Sequence, residues 1–278
     1  MPGRYADVNG IKIHYDLVGT GHPVVLIHGF GSKMGSFMAQ VPTLSKHFKV
    51  IILDNRGAGK SDRPDQPYTM EMYADDIYGL LKVLNINKAH LVGLSLGGMI
   101  ALNFTLKYPH IVSKLVLINT LPKLPDNFSP EAYIQSRIDG LHLMKTDPEK
   151  SFWESTMFGF HHEFRRKMEK NRDEKFYGLW SVRDIIEYYK TDPPTPQDIR
   201  NSAHSLTTHD TYDKLGEIKH QTLLLTASHD RLVPKEKMLE IHDRMPNSKI
   251  VIIKKAGHES PKEKATEVNA EIIDFLTT

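Results

Sequence analysis

The chain has no cysteine among its 278 residues. This absence excludes disulfide bridges, thiolate metal sites and a cysteine nucleophile. It also has no excess of one charge, because 36 basic residues are set against 34 acidic ones and leave a formal net charge of +2. Such a balance provides no basic surface for nucleic acid or for an anionic membrane. We therefore expect the partner to be a small, uncharged molecule.

A long hydrophobic run is also missing. No stretch approaches the length that crosses a bilayer, and the first seven residues contain no apolar signal segment. The hydrophobic fraction of 40% is ordinary for a globular protein. These features predict a cytoplasmic protein with a sizeable core and no membrane insertion, and they leave open whether it is a monomer or a homodimer.

Short apolar runs rich in β-branched residues recur along the chain. They are continuous rather than alternating, which is typical of strands covered on both faces. They lie at residues 23–27, 49–53, 89–92, 114–118, 222–226 and 249–253. Segments with helical spacing lie at 70–84, 96–108, 235–245 and 263–276. This alternation predicts a parallel α/β sheet with helices on both sides, and the alternating run at 11–15 predicts an antiparallel edge strand.

Residues 121–205 interrupt this rhythm. They contain no convincing strand, and many aromatic residues stand in a charged, helical background. A structureless loop of this length is improbable in a compact domain. We therefore predict a helical cap at 121–205, inserted into a core domain formed by 1–120 and 206–278.

The most distinctive motif is the run Gly93-Leu94-Ser95-Leu96-Gly97-Gly98. A predicted strand precedes it and a predicted helix follows it. The chain must turn so sharply there that only glycine tolerates the crowding around the serine. A flexible glycine turn is the alternative, but the flanking elements favour a nucleophile elbow that exposes the Ser95 hydroxyl.

A serine hydroxyl is a poor nucleophile at neutral pH, so it needs a base, and the base needs a carboxylate that orients it. His258 follows the run at 249–253, and Asp230 follows the run at 222–226. The carboxyl ends of parallel strands meet at one edge of a sheet, where Ser95 also emerges. We therefore expect Ser95, Asp230 and His258 to form a catalytic triad.

Two other polar residues follow predicted strands at the same edge. We interpret Asp54 as structural, because its surrounding turn offers loop amides and Arg56 as partners. Asn119 stands at the other place where this topology can carry the triad acid, but an amide cannot supply the charge. Asp230 is therefore the better candidate.

A tetrahedral intermediate needs amide donors directed at its oxyanion. The N–H of Leu96 follows the nucleophile at a predicted helix N-terminus. The second donor should come from the loop after the run at 23–27, where we choose the N–H of Phe30. We expect His28 in this loop to hydrogen-bond the loop rather than to react.

The chain resembles the α/β-hydrolase superfamily over nearly its full length. The resemblance rests, in order, on five motifs: His28-Gly29-Phe30, the Asp54-to-Ser61 segment, the Ser95 elbow, Asp230 and Gly257-His258. It implies an eight-stranded, mostly parallel sheet, a helical cap and acyl-transfer chemistry without a metal or an organic cofactor. The chain departs from many members at Gln221 and Ser228, where they carry proline and glycine, and either change could alter the turn before Asp230.

The elbow serine distinguishes this chain from the dehalogenase and epoxide hydrolase branches, which it otherwise resembles but which attack with a carboxylate. The loop after residues 23–27 lacks the extended glycine-rich stretch of many ring-cleavage product hydrolases. We therefore predict a carboxylesterase that cleaves esters of small to medium acyl chains through an acyl-enzyme. Enol-lactone or carbon–carbon bond hydrolysis is the alternative, followed by a small-molecule receptor with little turnover.

We expect the cap to set specificity. Its aromatic residues, together with Met144, Met157 and Met168, could line an apolar pocket over Ser95. Helix-spaced apolar residues also form the interior of a cap, which is the alternative for each of these side chains.

Overall fold

The computed structural model describes residues 3–278. Its centre is an eight-stranded sheet in the order β1-β2-β4-β3-β5-β6-β7-β8. The strands are β1 Arg4–Val8, β2 Ile11–Val18, β3 Pro23–Ile27, β4 Lys49–Leu53, β5 Ala89–Leu94, β6 Val112–Ile118, β7 Thr222–Ala227 and β8 Ser248–Ile253. The two pairs that include β2 are antiparallel, and all other neighbouring strands are parallel. The predicted eight-stranded, mostly parallel α/β sheet is therefore confirmed.

Helices cover both faces of the sheet. They are α1 Val41–Leu44, α2 Met70–Val83, α3 Leu96–Lys107, α4 Pro130–Thr146, α5 Pro148–Gly159, α6 His162–Lys170, α7 Val182–Lys190, α8 Pro196–Thr207, α9 Lys235–Arg244, α10 Ser260–Glu263 and α11 Ala265–Thr277. Helices α2, α3 and α9 bury their apolar sides against one face, while α1 and α11 cover the other. Within residues 3–278, none of the helices is both long enough and apolar enough to cross a membrane.

The predicted edge strand is antiparallel, as expected, but it is not at the edge. Strand β1 lies outside β2 and pairs with it from Arg4 opposite Tyr15 to Val8 opposite Ile11. The turn between them is Asn9-Gly10, and both residues have positive φ, of 51° and 78°. A two-residue hairpin of type I′ requires this conformation, so the Asn-Gly pair was the sequence signal for β1.

Five helices, α4 to α8, lie between β6 and β7, and we call them the helical insertion. Helices α5, α6 and α7 share an aromatic interior that includes Phe152, Phe164 and, between α6 and α7, Trp180. Helix α8 continues to Thr207, past the boundary that we predicted at 205. The division into a core domain and a cap domain remains a prediction.

The elbow between β5 and α3 depends on contacts that only glycine permits. A Cβ on Gly97 would lie 1.9 Å from the carbonyl oxygen of Ile27, the last residue of β3. A Cβ on Gly93 would lie 2.3 Å from the Gly97 carbonyl oxygen. Real side chains do not reach such distances, so these glycines allow α3 to begin directly against the end of β3.

Substitution of Gly97 tests this constraint against a matched glycine. We expect Gly97→Ala to lower the free energy of unfolding by at least about 2 kcal/mol, because the new methyl group must displace backbone. Gly140, within α4, has no atom near an added Cβ. We expect Gly140→Ala to raise the free energy of unfolding by roughly 0.5–1 kcal/mol through helix propensity. Urea denaturation measures both, and equal effects of the two substitutions would contradict the account of the elbow.

Candidate active site

Ser95 lies in the turn between β5 and α3 with φ of 56° and ψ of −119°. A positive φ is costly for a residue with a side chain, and it is the strained geometry that a nucleophile elbow requires. The Ser95 N–H donates to the Ile118 carbonyl at 2.9 Å, and Thr120 Oγ1 donates to the Ser95 carbonyl at 2.7 Å. The end of β6 thus holds the backbone of Ser95 on both sides.

Two candidate oxyanion donors flank this serine. Leu96 is the first residue of α3, where the helix itself offers its N–H no acceptor. The 28–33 loop approaches from β3, and a Cβ on Gly29 would lie 3.4 Å from the Ser95 Cβ. In the described part of the chain, the N–H groups of Phe30 and Leu96 donate no hydrogen bond. Both N–H groups can therefore donate to a ligand oxygen near Ser95.

His28 fixes the start of this loop, as the sequence predicts. Its Nδ1 lies 2.9 Å from the Gly29 carbonyl oxygen, so Nδ1 carries the proton. Its Nε2 then accepts the Asn55 N–H at 3.0 Å. Burial lowers the pKa of His28, so the imidazole stays neutral and keeps this tautomer.

Asp230 and His258 form a buried hydrogen-bonded pair. The His258 Nδ1 lies 2.8 Å from Asp230 Oδ2, and Asp230 Oδ1 accepts the N–H groups of Leu232 at 2.8 Å and Val233 at 2.9 Å. The Asp230 side chain is fully buried. Since a carboxylate only accepts, His258 Nδ1 carries the proton and its Nε2 is free to take another. In the described residues, no hydrogen bond joins Ser95 Oγ to this ring, and such contacts often tighten only when substrate binds.

The charge of Asp230 makes His258 a stronger base. Burial alone lowers the pKa of His258, but the charge of Asp230 and its hydrogen bond raise it further than burial lowers it. The pKa therefore lies above its ordinary value of 6.5. The neighbouring Glu259 also raises the pKa, while Lys262 lowers it.

Comparison with known proteins agrees with this geometry. A sequence model described as the alpha/beta hydrolase fold matches residues 22–265. The chain belongs to the α/β-hydrolase fold family. The 2-hydroxy-6-oxo-6-phenylhexa-2,4-dienoate hydrolase of Comamonas testosteroni is 29% identical to this chain over an alignment of 280 positions. The alignment covers 97% of this chain and 93% of that protein.

Solved structures show the same fold. A thermophilic esterase from Thermogutta terrifontis is 28% identical, with a TM-score of 0.82 over 100% of this chain and 98% of that chain. The enol-lactonase from Burkholderia xenovorans LB400 also has a TM-score of 0.82, over 99% of this chain and 100% of that chain. Its identity is 24%, so this second likeness shows the fold alone.

Asn119 is a residue of this α/β hydrolase whose importance the sequence did not reveal. It has a positive φ of 45°, and its Nδ2 donates to the His258 carbonyl at 2.8 Å and to Ser260 Oγ at 2.9 Å. Its Oδ1 accepts the Ala227 N–H at 2.9 Å. Asn119 therefore joins the His258 loop to the end of β7. Its position after β6 was visible in the sequence, but its donor role was not, because it depends on loops distant in sequence.

Ser228, a departure from the family pattern, preserves the turn before Asp230. Its Oγ accepts the Lys255 N–H at 2.9 Å and bonds His229 Nδ1 at 2.8 Å. This side chain ties the Asp230 loop to the end of β8. The departure therefore leaves Asp230 within reach of His258.

Asp54 has the structural role that we expected, with one different partner. It accepts loop amides, including the Met34 N–H at 2.8 Å. Its side-chain partner is His14, whose Nδ1 lies 2.7 Å from Asp54 Oδ2. The expected pairing with Arg56 is wrong, because Arg56 makes bonds of 2.6 and 2.7 Å to Asp76 on the buried side of α2.

A cavity opens between the 28–33 loop and the helical insertion. Its walls include Gly29 and Leu96 from the core and Tyr188, Tyr189 and Ile199 from the insertion. The cavity has a partly charged lining, to which Lys33, Arg56, Asp192 and Asp198 contribute. The cavity therefore offers polar contacts as well as apolar ones to a small molecule.

The expectation that three methionines line the pocket is wrong for this cavity. Among the described residues, its walls include none of Met144, Met157 and Met168. Met168 is fully buried in the aromatic interior of the insertion, while Met157 is 42% exposed. Tyr188 and Tyr189 are the predicted aromatic residues that do reach the cavity.

Replacement of Asn119 by aspartate tests its role as a donor. The carboxylate keeps the shape but removes both hydrogen bonds from Nδ2 and faces the His258 carbonyl. We expect Asn119→Asp to lower the free energy of unfolding by roughly 2–4 kcal/mol. Burial raises the pKa of the new carboxyl in the folded state, so the folded protein binds a proton that the unfolded chain has released. Stability should therefore fall further as pH rises.

Urea denaturation at pH 5 and pH 8 measures this loss. Asn127→Asp is the matched control, because Asn127 is exposed and its side chain makes no hydrogen bond within the described residues, and we expect it to change stability by less than about 0.5 kcal/mol. A stable Asn119→Asp protein at pH 8 would contradict the donor role.

Proposed function

We propose that this α/β hydrolase uses a Ser-His-Asp triad to hydrolyse a carbon–carbon bond next to a ketone, or the related bond of an enol-lactone. The observation that carries this proposal is the relative named as a 2-hydroxy-6-oxo-dienoate hydrolase, which matches along 97% of the chain. The site supports it because a serine, a buried Asp-His pair and two free amides meet at one edge of the sheet. Our first expectation, a carboxylesterase, becomes the second candidate.

In the proposed mechanism, His258 Nε2 takes the proton of Ser95 as Oγ attacks the carbonyl carbon. The Phe30 and Leu96 N–H groups hold the oxyanion that develops. When the tetrahedral intermediate collapses, the bond to the leaving carbon breaks, and that carbon takes the proton from His258. Water, activated by the same imidazole, then releases the acyl group as a carboxylic acid, while Asp230 keeps the imidazole oriented.

The two candidate reactions differ in the leaving group. An ester expels an alcohol oxygen, whereas carbon–carbon cleavage expels a carbon whose charge must be delocalised, as it is in a dienolate. The triad and the oxyanion donors serve both reactions without change. A specific observation keeps the esterase as the second candidate, namely the structural likeness to the Thermogutta terrifontis esterase at 28% identity.

We also propose that residues 121–205 act as a cap over this site. The insertion supplies Tyr188 and Tyr189 to the cavity wall. On α4, Tyr133 packs against the Phe30 ring with centroids 5.3 Å apart, and the Arg137 guanidinium lies 5.9 Å from that ring. The insertion therefore covers the loop that carries Phe30, the candidate oxyanion donor.

Replacement of Ser95 tests the mechanism and separates the two candidates. The wild type is assayed on a 2-hydroxy-6-oxo-6-phenylhexa-2,4-dienoate and on p-nitrophenyl butyrate, by loss of dienoate absorbance and by release of nitrophenol. We expect the dienoate to have the higher kcat/KM, and Ser95→Ala to lower it at least ~1000-fold on both substrates. Ser155→Ala, an exposed serine on α5, should retain full activity. Turnover of the butyrate alone would favour the esterase, and a fully active Ser95→Ala would exclude the triad.

The pH profile tests the pairing of Asp230 with His258. His258 must be neutral to act as base, so kcat/KM should rise with pH through a pKa above 6.5 in the wild type. Asp230→Asn removes the charge that raises this pKa but leaves the burial that lowers it, so the rise should move to lower pH. The plateau rate should fall roughly 10³- to 10⁴-fold. An unshifted profile in Asp230→Asn would assign the acid to another residue.

A further inference from the structure

Tyr188, on α7 of the insertion, is hydrogen-bonded to the backbone of the 28–33 loop. Its hydroxyl accepts the Lys33 N–H at 3.0 Å and donates to the Lys33 carbonyl at 2.9 Å. Ser32 Oγ lies 3.1 Å from the same oxygen and can donate to it. One donated and two accepted hydrogen bonds satisfy a phenol completely. Burial raises the pKa of Tyr188 well above its ordinary value, so the donating proton is retained at all physiological pH.

The chain beside Tyr188 is shaped to admit its ring. A Cβ on Gly35 would lie 2.7 Å from Tyr188 Cε2, so only glycine leaves room for the aromatic ring. The Lys33 ammonium lies 4.6 Å from the ring centroid, within the range of a cation–π contact. The ring is therefore held on three sides by residues 32 to 35 of the core.

These contacts lead directly to the candidate oxyanion donor. The Ser32 N–H donates to the Gly29 carbonyl at 3.3 Å and closes a turn around Phe30. From the core side, Asp54 accepts the Met34 N–H at 2.8 Å. Tyr188 from the insertion and Asp54 from the core thus both hold the end of the turn. The direction of the Phe30 N–H depends on this turn.

We propose that Tyr188 is a positioning residue that makes the Phe30 oxyanion donor depend on the position of the helical insertion. The proposal rests on the proposed function, because it assigns the Phe30 N–H to the oxyanion. When the insertion is seated, the phenol fixes Lys33 and the turn, and the donor is aligned. When the insertion moves away, the N–H and C=O of Lys33 lose their partners and the turn relaxes. The Phe30 N–H is therefore aligned for catalysis only when the insertion covers the bound substrate.

The test is Tyr188→Phe, which keeps the ring and removes the hydroxyl. Because an oxyanion donor acts in the transition state, we expect kcat to fall roughly 10- to 100-fold while KM changes less than about 2-fold. An alkyl boronic acid forms a tetrahedral adduct with the elbow serine and probes the same donors. Its Ki should rise by the same factor as kcat falls. The assay uses whichever of the two substrates the wild type turns over.

Tyr177→Phe is the matched control. Tyr177 also joins the insertion to the core through its hydroxyl, which donates to the Glu263 carbonyl, remote from the 28–33 loop. We expect this variant to keep kcat, KM and Ki within about 2-fold of the wild type. A general loosening of the insertion would instead affect both tyrosine variants alike, so equal losses in the two would overturn the proposal.

Gly35→Ala provides a second route to the same outcome. The added methyl group pushes the Tyr188 ring away without removing its hydroxyl, and kcat and the boronate Ki should change in parallel as in Tyr188→Phe. Values of kcat and Ki within 2-fold of the wild type in both Tyr188→Phe and Gly35→Ala would overturn the positioning role.

The failure of this inference can be distinguished from the failure of the proposed function. If Ser95→Ala still turns over substrate, the proposed function fails. If activity depends on Ser95 but not on Tyr188, only this inference fails.

Discussion

The site depends on one close backbone contact, between the carbonyl of Ile27 at the end of β3 and the start of α3 at Gly97. Because no side chain separates them, the loop that follows β3 lies directly against the turn that carries Ser95. The two candidate oxyanion donors come from these two segments, one from each. A bulkier residue at 97 would move α3 away from β3 and separate the donors before any chemistry could occur.

A second set of contacts joins Ser95 to the His258 loop. The last residue of β6 and the two residues after it make these contacts: the Ile118 carbonyl and the Thr120 hydroxyl hold Ser95, while the Asn119 amide holds the His258 loop. Asn119 stands where this topology can alternatively carry the triad acid. If Asp230 on the loop after β7 is the acid, as we propose, the place after β6 is free for a donor, and the Asn119 amide donates to the His258 carbonyl, which a carboxylate cannot do. The choice of acid position and the identity of residue 119 are thus physically linked.

The sequence predicted those features that depend on local patterns. Continuous apolar runs identified the six parallel strands, because strands covered on both faces need no polar positions. The edge strand β1 escaped notice, since it is short and half exposed, although Asn9-Gly10 marked its turn. Asp230 and His258 could be placed at one sheet edge from strand order alone.

The partners of Asn119, Asp54 and Tyr188 could not be predicted from the sequence. Each of these side chains binds residues distant in sequence, and their approach depends on tertiary packing. For the same reason helical spacing could not decide whether Met144, Met157 and Met168 line a pocket or fill the interior of the insertion.

The proposed triad does not by itself select a substrate. An Asp-His pair beside a serine with two amide donors can open an ester, an enol-lactone or a carbon–carbon bond, and relatives named for each of these substrates share the fold. What differs is the group that leaves, which the surrounding protein has to accommodate. In this chain the cavity beside the 28–33 loop combines tyrosines with charged residues from both the core and the insertion. A dienolate leaving group carries delocalised charge and is better accommodated by polar walls than an alkyl chain, so this lining is compatible with the carbon–carbon cleavage that we propose.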